Sequence, residues 1–194
     1  MNIQVDHIVD AKGLACPMPI VRTKKAIGTL AAGQVLELQA TDKGSLADIK
    51  AWANSTGHQY LGSVEDEENN DKLYKHYIRK SEDLDVKEEA IFPHTIQNSK
   101  LELQLNDSTH LNIIDVREPA EYVFGHIPGS KSIPLAELED RVQELDKEQE
   151  LFIVCRTGHR SNTAANLLTE KGFINIKNVV PGMSEWTGTV NKNE

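Results

Sequence analysis

The chain has 194 residues, 39% hydrophobic and 26% charged, which is typical of soluble globular proteins and long enough for one large or two small domains. A formal net charge of −9 argues against nucleic acid or an anionic membrane as the main partner, and no apolar run approaches the roughly 18 residues of a membrane-spanning helix. Asp6 and Asp10 lie where a signal peptide would carry basic residues, so we expect a cytoplasmic protein with free thiols.

The charge distribution divides the chain into three parts. Residues 1–80 hold ten basic and ten acidic side chains, residues 81–94 one and five, and residues 95–194 ten and fifteen. The acidic middle part, with Pro93 near its end, predicts a linker between a domain at 1–80 and a domain at 95–191. The alternative for the middle part is a solvated helix face, because apolar residues interrupt its charges.

The first domain begins with a predicted strand and a helix. The helix starts after Cys16, with Pro17 and Pro19 in its first turn where their missing N–H groups are not needed, and stops at Gly33. Four strands are predicted from β-branched or alternating apolar residues, at 3–9, 34–40, 59–65 and 72–80, the last two flanking an acidic turn at 65–71.

A second helix of this domain is predicted to start at Ser45 and to stop at Gly57. Asp48 lies three residues after Ser45, which is the spacing of a capping box. The resulting order is β-α-β-α-β-β, and placing both helices on one face of a small sheet makes the first domain a two-layer α/β sandwich.

The second domain is predicted to be an α/β unit with a parallel sheet covered on both faces. Its short apolar runs are typical of buried parallel strands, and helical patterns occur between them. The predicted strands are 111–116, 151–155 and 174–180, and the predicted helices are 136–145, 161–171 and a short turn at 183–187.

Cys155 lies at the carboxyl end of a predicted parallel strand, where such sheets bind ligands. A thiolate is favoured there by the N–H groups of the loop, by the dipole of the following helix, and by the positive charges of Arg156 and Arg160. A lone cysteine at a strand end is more often a small buried hydrophobe. Here the functional interpretation is preferred, because two arginines, Gly158 and a helix start occur within six residues. The sequence therefore predicts that Cys155 is a nucleophile.

The length of this loop separates sulfur transfer from phosphoryl transfer. Tyrosine-phosphatase-like sites carry an arginine six positions after the cysteine, which leaves room for a phosphoryl group. Here that position is Ser161, and the arginine is Arg160, one residue earlier. The tighter loop suits a single sulfur atom, so sulfur transfer is the prediction.

Four motifs between residues 95 and 191 carry a resemblance to a known family. They are DVREP at 115–119, GHIPGS at 125–130, the loop at 155–161, and Gly182-Met183 with Trp186. In order and spacing they resemble a single-domain rhodanese, with small departures at Ser130 and Pro181. The resemblance implies a rhodanese-like fold and a persulfide on Cys155.

Three polar residues of these motifs are predicted to be structural. Asp115 and Arg117 are expected to form a buried ion pair that braces the loop rather than to act in catalysis. His126 is expected to be a structural hydrogen-bonding residue rather than a base.

The first domain carries a second resemblance. GLACPMP at 13–19, followed by Lys24 and Lys25, is similar to the TusA/SirA family of sulfur carriers, and the match extends over about residues 2–80. It implies a persulfide on Cys16. Alone, a cysteine before a proline-started helix would be structural about as often as functional. Lys24 and Lys25 are expected to be solvated helix residues, with docking of an acidic partner as the alternative.

Together the two resemblances predict a cytoplasmic TusA–rhodanese sulfurtransferase. Cys155 would accept sulfane sulfur from thiosulfate or a low-molecular-weight persulfide, and Cys16 would relay it to a thiol or a protein acceptor. No metal or other cofactor is expected, because two cysteines in separate units cannot form a structural zinc site. The residues predicted to bind the donor are Arg156, Thr157, Gly158, His159 and Arg160.

Two other functions are compatible with the same residues. One is a non-catalytic persulfide-binding protein that responds to sulfide through its interactions. The other is a redox pair in which Cys16 and Cys155 form a regulatory disulfide.

Overall fold

A computed structural model describes residues 3–68, 71–81, 91–107 and 110–192. The chain separates into two compact units, Asn2–Asp85 and Val86–Glu194. The predicted linker at 81–94 falls mostly on residues 82–90, which lie outside the described residues. Its described end belongs to the second unit, because Phe92 is buried in that unit's core and its N–H donates to Asn162 Oδ1 over 2.7 Å.

The first unit is a four-stranded mixed sheet with two helices, in the predicted order β-α-β-α-β-β. In the sheet the strand order is β1-β2-β4-β3, where β1 and β2 are parallel and the other pairs are antiparallel. The elements are β1 His7–Ala11, α1 Met18–Thr29, β2 Val35–Ala40, α2 Ser45–Ser55, β3 Gln59–Glu68 and β4 Asp71–Arg79.

The core of this unit lies between the helices and one face of the sheet. Ile27 of α1 and Ile49 of α2 pack with Leu36, Leu38 and Ile78 of the two central strands. These apolar residues recur at helical spacing in α1 and α2 and at alternate positions in β2, which is why the sequence pattern predicts both kinds of element.

The structure corrects three predictions for the first unit. The strand predicted at 3–9 lies at His7–Ala11. β3 continues to Glu68, through the stretch predicted as an acidic turn, because Lys75 pairs with Asp66 over 2.7 Å across the hairpin. The capping box of α2 does not form. Ser45 Oγ instead lies 2.9 Å from His76 Nε2, and Asp48 acts on Cys16, whose thiol pKa it raises.

The second unit is a five-stranded parallel sheet with strand order β5-β9-β8-β6-β7. The parallel sheet with helices on both faces is as predicted, whereas two of its strands, Thr95–Gln97 and Lys131–Ser132, were not predicted. Ile114 and Ile153 point into one core, and Ile113, Phe152 and Val154 into the other. The elements are β5 Thr95–Gln97, α3 Asn98–Asp107, β6 Asn112–Asp115, α4 Pro119–Phe124, β7 Lys131–Ser132, β8 Leu151–Val154, α5 His159–Glu170 and β9 Ile176–Val180.

The helix predicted at 136–145 is wrong. Two short 3₁₀ turns replace it, Leu135–Glu137 and Val142–Glu144. Its apolar residues come in pairs spaced by three, which align on one side of a 3₁₀ turn and pack here against the core. These paired residues are Leu135 with Leu138 and Val142 with Leu145.

Candidate functional site

The sulfur of Cys155 lies in a tight loop between β8 and α5, and Cys155 is only 1% exposed. The Gly158 N–H donates a hydrogen bond to Cys155 Sγ over 3.1 Å. Gly158 has a φ of +91°, and a Cβ there would lie 3.1 Å from Val180 Cγ1, so this position requires glycine. A backbone donor at the start of a helix favours a negative charge on the sulfur.

Two buried polar side chains support the same loop. Ser161 Oγ lies 3.3 Å from Cys155 Sγ and 2.6 Å from Asn178 Oδ1, to which it donates a hydrogen bond. Asn178 Nδ2 donates to the carbonyl oxygen of Gly158 over 3.2 Å. Asn178 was not predicted as a site residue. The signal that could have identified it is a polar residue among the apolar residues of β9.

The turn after β9 holds the carbonyl groups of the loop. The N–H groups of Met183 and Ser184 donate to the carbonyl oxygens of Cys155 and Arg156 over 2.9 and 2.8 Å. Gly182 has a φ of +87°, and a Cβ there would lie 2.5 Å from the Cys155 carbonyl oxygen. The Gly182-Met183 motif therefore supports the loop by close backbone packing that only glycine allows.

The predicted donor-binding side chains lie in two different environments. Those of Arg156, Thr157 and His159 are exposed. Arg160 is instead paired with Glu121, because its Nη1 and Nη2 donate to the two carboxylate oxygens over 2.8 and 3.1 Å. The sequence predicts that both arginines offer their charge to the donor, but in the structure a carboxylate already neutralises Arg160.

Asp115 and Arg117 form a buried ion pair at the end of β6. Arg117 Nη2 lies 2.6 Å from Asp115 Oδ2 and also donates to the carbonyl oxygen of Gly125 over 2.7 Å. His126 stacks on the ring of Tyr122, and its Nδ1 lies 2.9 Å from the Tyr122 carbonyl oxygen. These contacts give all three polar residues structural partners within the second unit.

Cys16 has a different environment from Cys155. It is exposed and lies two residues before the start of α1, with Pro17 as the N-cap residue. A hydrogen bond to Asp48 raises the pKa of the Cys16 thiol, and desolvation and the negative charges of Asp48 and Asp42 act in the same direction. Sequence reasoning missed this role of Asp48 because it assigned that carboxylate to a helix cap.

The described part of the chain contains neither a candidate metal site nor a candidate membrane span. Within residues 3–68, 71–81, 91–107 and 110–192, no group of three or more His, Cys, Asp or Glu side chains is placed to hold a metal ion. In the same ranges, no helix has both the length and the apolar character that crossing a bilayer requires.

The two units thus offer two different thiols for chemistry. Cys155 is enclosed by its loop, with a backbone donor on the sulfur and a helix start beside it. Cys16 is open to solvent, and the Asp48 carboxylate raises the pKa of its thiol. A cysteine thiol in either setting can carry a group covalently on its sulfur.

Comparison with known proteins identifies both units. The family model described as "Sulfurtransferase TusA" matches residues 7–80, and the model described as "Rhodanese-like domain" matches residues 97–189. The "Putative sulfur carrier protein YrkF" of Bacillus subtilis (strain 168) is 47% identical over 181 residues, which are 93% of this chain and 95% of that protein.

Two further similarities concern the second unit. The "Thiosulfate sulfurtransferase GlpE" of Pseudoalteromonas translucida (strain TAC 125) is 36% identical over 84 residues, which are 43% of this chain and 80% of that protein. The crystal structure of a rhodanese-like domain protein from Staphylococcus aureus is 30% identical, with a TM-score of 0.49, and covers 52% of this chain and 99% of that one.

The chain belongs to the family of proteins that join a TusA domain to a rhodanese-like domain, because both domain models match it and similarity to a relative at 47% identity extends over 93% of its length. It is a sulfurtransferase with a sulfur-carrier domain.

Proposed function

We propose that Cys155 takes a sulfane sulfur from thiosulfate or a low-molecular-weight persulfide and that Cys16 relays it to a thiol or protein acceptor. In the first step the Cys155 thiolate attacks the outer sulfur of thiosulfate. A new S–S bond forms, the old one breaks, and sulfite leaves with its electron pair. In the second step an acceptor thiolate attacks the terminal sulfur, and the Cys155 thiolate is the leaving group.

The contact between the Gly158 N–H and Cys155 Sγ carries this proposal. A donor N–H at 3.1 Å stabilises the thiolate that attacks and the thiolate that leaves. The loop also encloses the sulfur, since Cys155 is 1% exposed, and such enclosure favours small donors over a protein donor. The exposed residues Arg156, Thr157 and His159 are then the first groups that a small anionic donor meets.

The environment of Cys16 supports the relay step. Its exposed thiol is accessible to another protein's cysteine, as transfer between proteins requires. A thiol whose pKa is raised gives a thiolate of higher intrinsic nucleophilicity, which suits attack on a persulfide that has already formed. Both cysteines are free thiols, and this supports a cytoplasmic location, where the reducing environment keeps them so.

The test compares two single-cysteine variants in one assay. Thiocyanate formation from thiosulfate and cyanide should disappear in Cys155→Ser and persist in Cys16→Ser, because cyanide can take the sulfur directly from Cys155. Intact mass of Cys16→Ser after exposure to thiosulfate should show one added sulfur, which can lie only on Cys155. Turnover by Cys155→Ser at the wild-type rate would contradict the assignment.

The same experiment separates the other two functions. Stable loading of Cys155 without turnover would indicate a non-catalytic persulfide-binding protein. A loss of two hydrogens after mild oxidation, with no gain of sulfur, would indicate a disulfide between Cys16 and Cys155.

A further inference from the structure

Arg160 is held by a carboxylate rather than left free at the loop. Its side chain is 12% exposed, and the Glu121 carboxylate that binds both of its Nη atoms is fully buried. A second carboxylate, that of Glu118, lies 3.9 Å from Arg160 Nη1. Burial disfavours the charged form of Arg160, but the attraction of Glu121, together with that of Cys155, outweighs it and raises the Arg160 pKa.

Glu121 cannot turn away from this position without breaking a second contact. It is the third residue of α4, and its Oε2 accepts the N–H of Glu118 over 3.1 Å as part of a capping box. The carboxylate is therefore tied both to the start of α4 and to Arg160 at the start of α5. Releasing Arg160 to a ligand would take the bidentate countercharge away from a fully buried carboxylate, which is strongly unfavourable.

We propose that Glu121, on α4, determines the donor specificity of the Cys155 loop. It holds Arg160 in an ion pair and thereby leaves anion recognition to Arg156. This inference rests on the proposed function, in which the loop takes sulfur from a small donor. A free Arg160 would add a cation beside Cys155 and strengthen binding of oxyanions such as sulfate and phosphate. With Glu121 in place, the loop selects among small anions less by their charge and more by whether they carry a transferable sulfur.

The first variant frees the arginine. Glu121→Gln preserves the size and one acceptor oxygen but removes the bidentate countercharge of Arg160, which leaves only Glu118 at 3.9 Å. We expect the KM for thiosulfate to fall about tenfold, the usual size of one added charge-assisted hydrogen bond. The KM for an uncharged alkyl persulfide should stay the same, because that donor carries no charge for Arg160 to bind.

The second variant restores the charge balance. In Glu121→Gln combined with Arg160→Gln, two neutral amides replace the ion pair, and we expect the wild-type KM for thiosulfate to return. A tenfold higher KM than wild type would show that Arg160 binds the anion itself and would overturn the proposal. This double variant decides the question even where Glu121→Gln does not fold.

The control is a second bidentate pair of the same kind in the same unit. Arg141 Nε and Nη2 bind the two oxygens of Glu144 over 2.7 and 3.1 Å. Glu144→Gln removes that countercharge in the same way, and it should leave the KM for thiosulfate unchanged. An equal fall of the KM in Glu144→Gln would show a general charge effect and would overturn the assignment to Glu121.

A binding measurement that needs no turnover tests the role of Glu121 independently of the proposed function. In the Cys16→Ser background, iodoacetamide modifies Cys155 alone, and inorganic sulfate protects it when bound in the loop. Glu121→Gln should lower the sulfate concentration for half-protection about tenfold. Unchanged protection overturns the role of Glu121, whereas absence of thiosulfate turnover in the wild type contradicts only the proposed function.

Discussion

Ser161 Oγ donates a hydrogen bond to Asn178 Oδ1 over 2.6 Å beside the sulfur of Cys155. A hydroxyl has one proton, and the orientation of the Asn178 amide follows from its contact with the Gly158 carbonyl oxygen. Ser161 Oγ is also placed to donate to Cys155 Sγ, so its single proton has two acceptors. When Cys155 becomes a thiolate or a persulfide, the Ser161 hydroxyl can turn and donate to sulfur, since Sγ lies 3.3 Å away.

Ser161→Ala tests this relationship. The change removes the donor to sulfur and leaves Asn178 Oδ1 buried without that hydroxyl. We expect turnover to fall about tenfold and the free energy of unfolding to fall by about 1–3 kcal/mol. Thiocyanate formation and urea unfolding measure the two effects. Thr169→Ala on the same helix, where the hydroxyl binds only the Ala165 carbonyl oxygen among the contacts described, is the control and should retain full turnover.

Arg156 is the loop arginine predicted to meet an anionic donor. Arg156→Ala should raise the KM for thiosulfate about tenfold, as expected for loss of one charge-assisted contact. The KM for an uncharged alkyl persulfide should not change, and neither should the KM for thiosulfate in the control Lys100→Ala, which removes an exposed cation from α3. Equal losses for both donors would show that Arg156 acts only on the loop structure.

Features formed by neighbouring residues were predictable from the sequence. The Cys155 loop is one contiguous segment between an apolar run and a helix, so strand, nucleophile and helix start could all be inferred from local pattern. The buried pair of Asp115 and Arg117 is separated by one residue and was expected for the same reason.

Features formed by residues distant in the sequence were not predictable from it. Glu121 and Asn178 reach the loop only because α4 follows β6 and because β9 lies beside β8 in the sheet. Local pattern contains no information on that order. The same holds in the first unit, where Asp48 looked like a helix cap until the packing of α2 brought it to Cys16.

Asp48 is expected to control the acidity of Cys16. Because its hydrogen bond is the first cause of the raised Cys16 pKa, Asp48→Asn should lower that pKa. Alkylation of Cys16 by iodoacetamide, followed by peptide mass spectrometry across a range of pH, should then reach half its maximal rate at a lower pH. Asp42→Asn should shift it less, because Asp42 contributes only its charge. A larger shift for Asp42→Asn would contradict this ranking.

The buried His76 is expected to make the stability of the first unit depend on pH. Its ring is fully buried between Ser45 and Tyr60, and desolvation lowers its pKa from 6.5 to about 4. Between these values the unfolded chain binds a proton that the folded unit does not. Stability is therefore complete above pH 6.5 and falls as the pH drops towards 4, by about 3 kcal/mol over the whole window.

Urea unfolding of Trp186→Phe, in which Trp52 reports on the first unit, measures this dependence. The midpoint should fall steadily between pH 6.5 and pH 4. His76→Gln should flatten the dependence, and His7→Gln, at an exposed position, should leave it unchanged. A flat profile in the Trp186→Phe protein would exclude His76 as a buried neutral histidine.

The relay from Cys155 to Cys16 is expected to occur within one chain. Ser81 contacts His58 in the first unit and Phe92 is buried in the second, so the chain between these two residues can span at most about 40 Å. Such a tether gives the two thiols an effective concentration in the millimolar range. After Cys155 is loaded with labelled sulfur, the label should therefore appear on Cys16 at a rate independent of protein concentration.

The control for this relay is a mixture of the two single-cysteine variants, Cys16→Ser and Cys155→Ser. In the mixture, sulfur can pass only between chains, so its transfer rate should rise linearly with concentration and stay below the rate in the intact chain. Equal rates at low micromolar concentration would refute transfer within the chain. Each domain would then exchange sulfur with an outside partner. Joining the two domains in one chain would keep both of them near that partner and would not serve transfer between them.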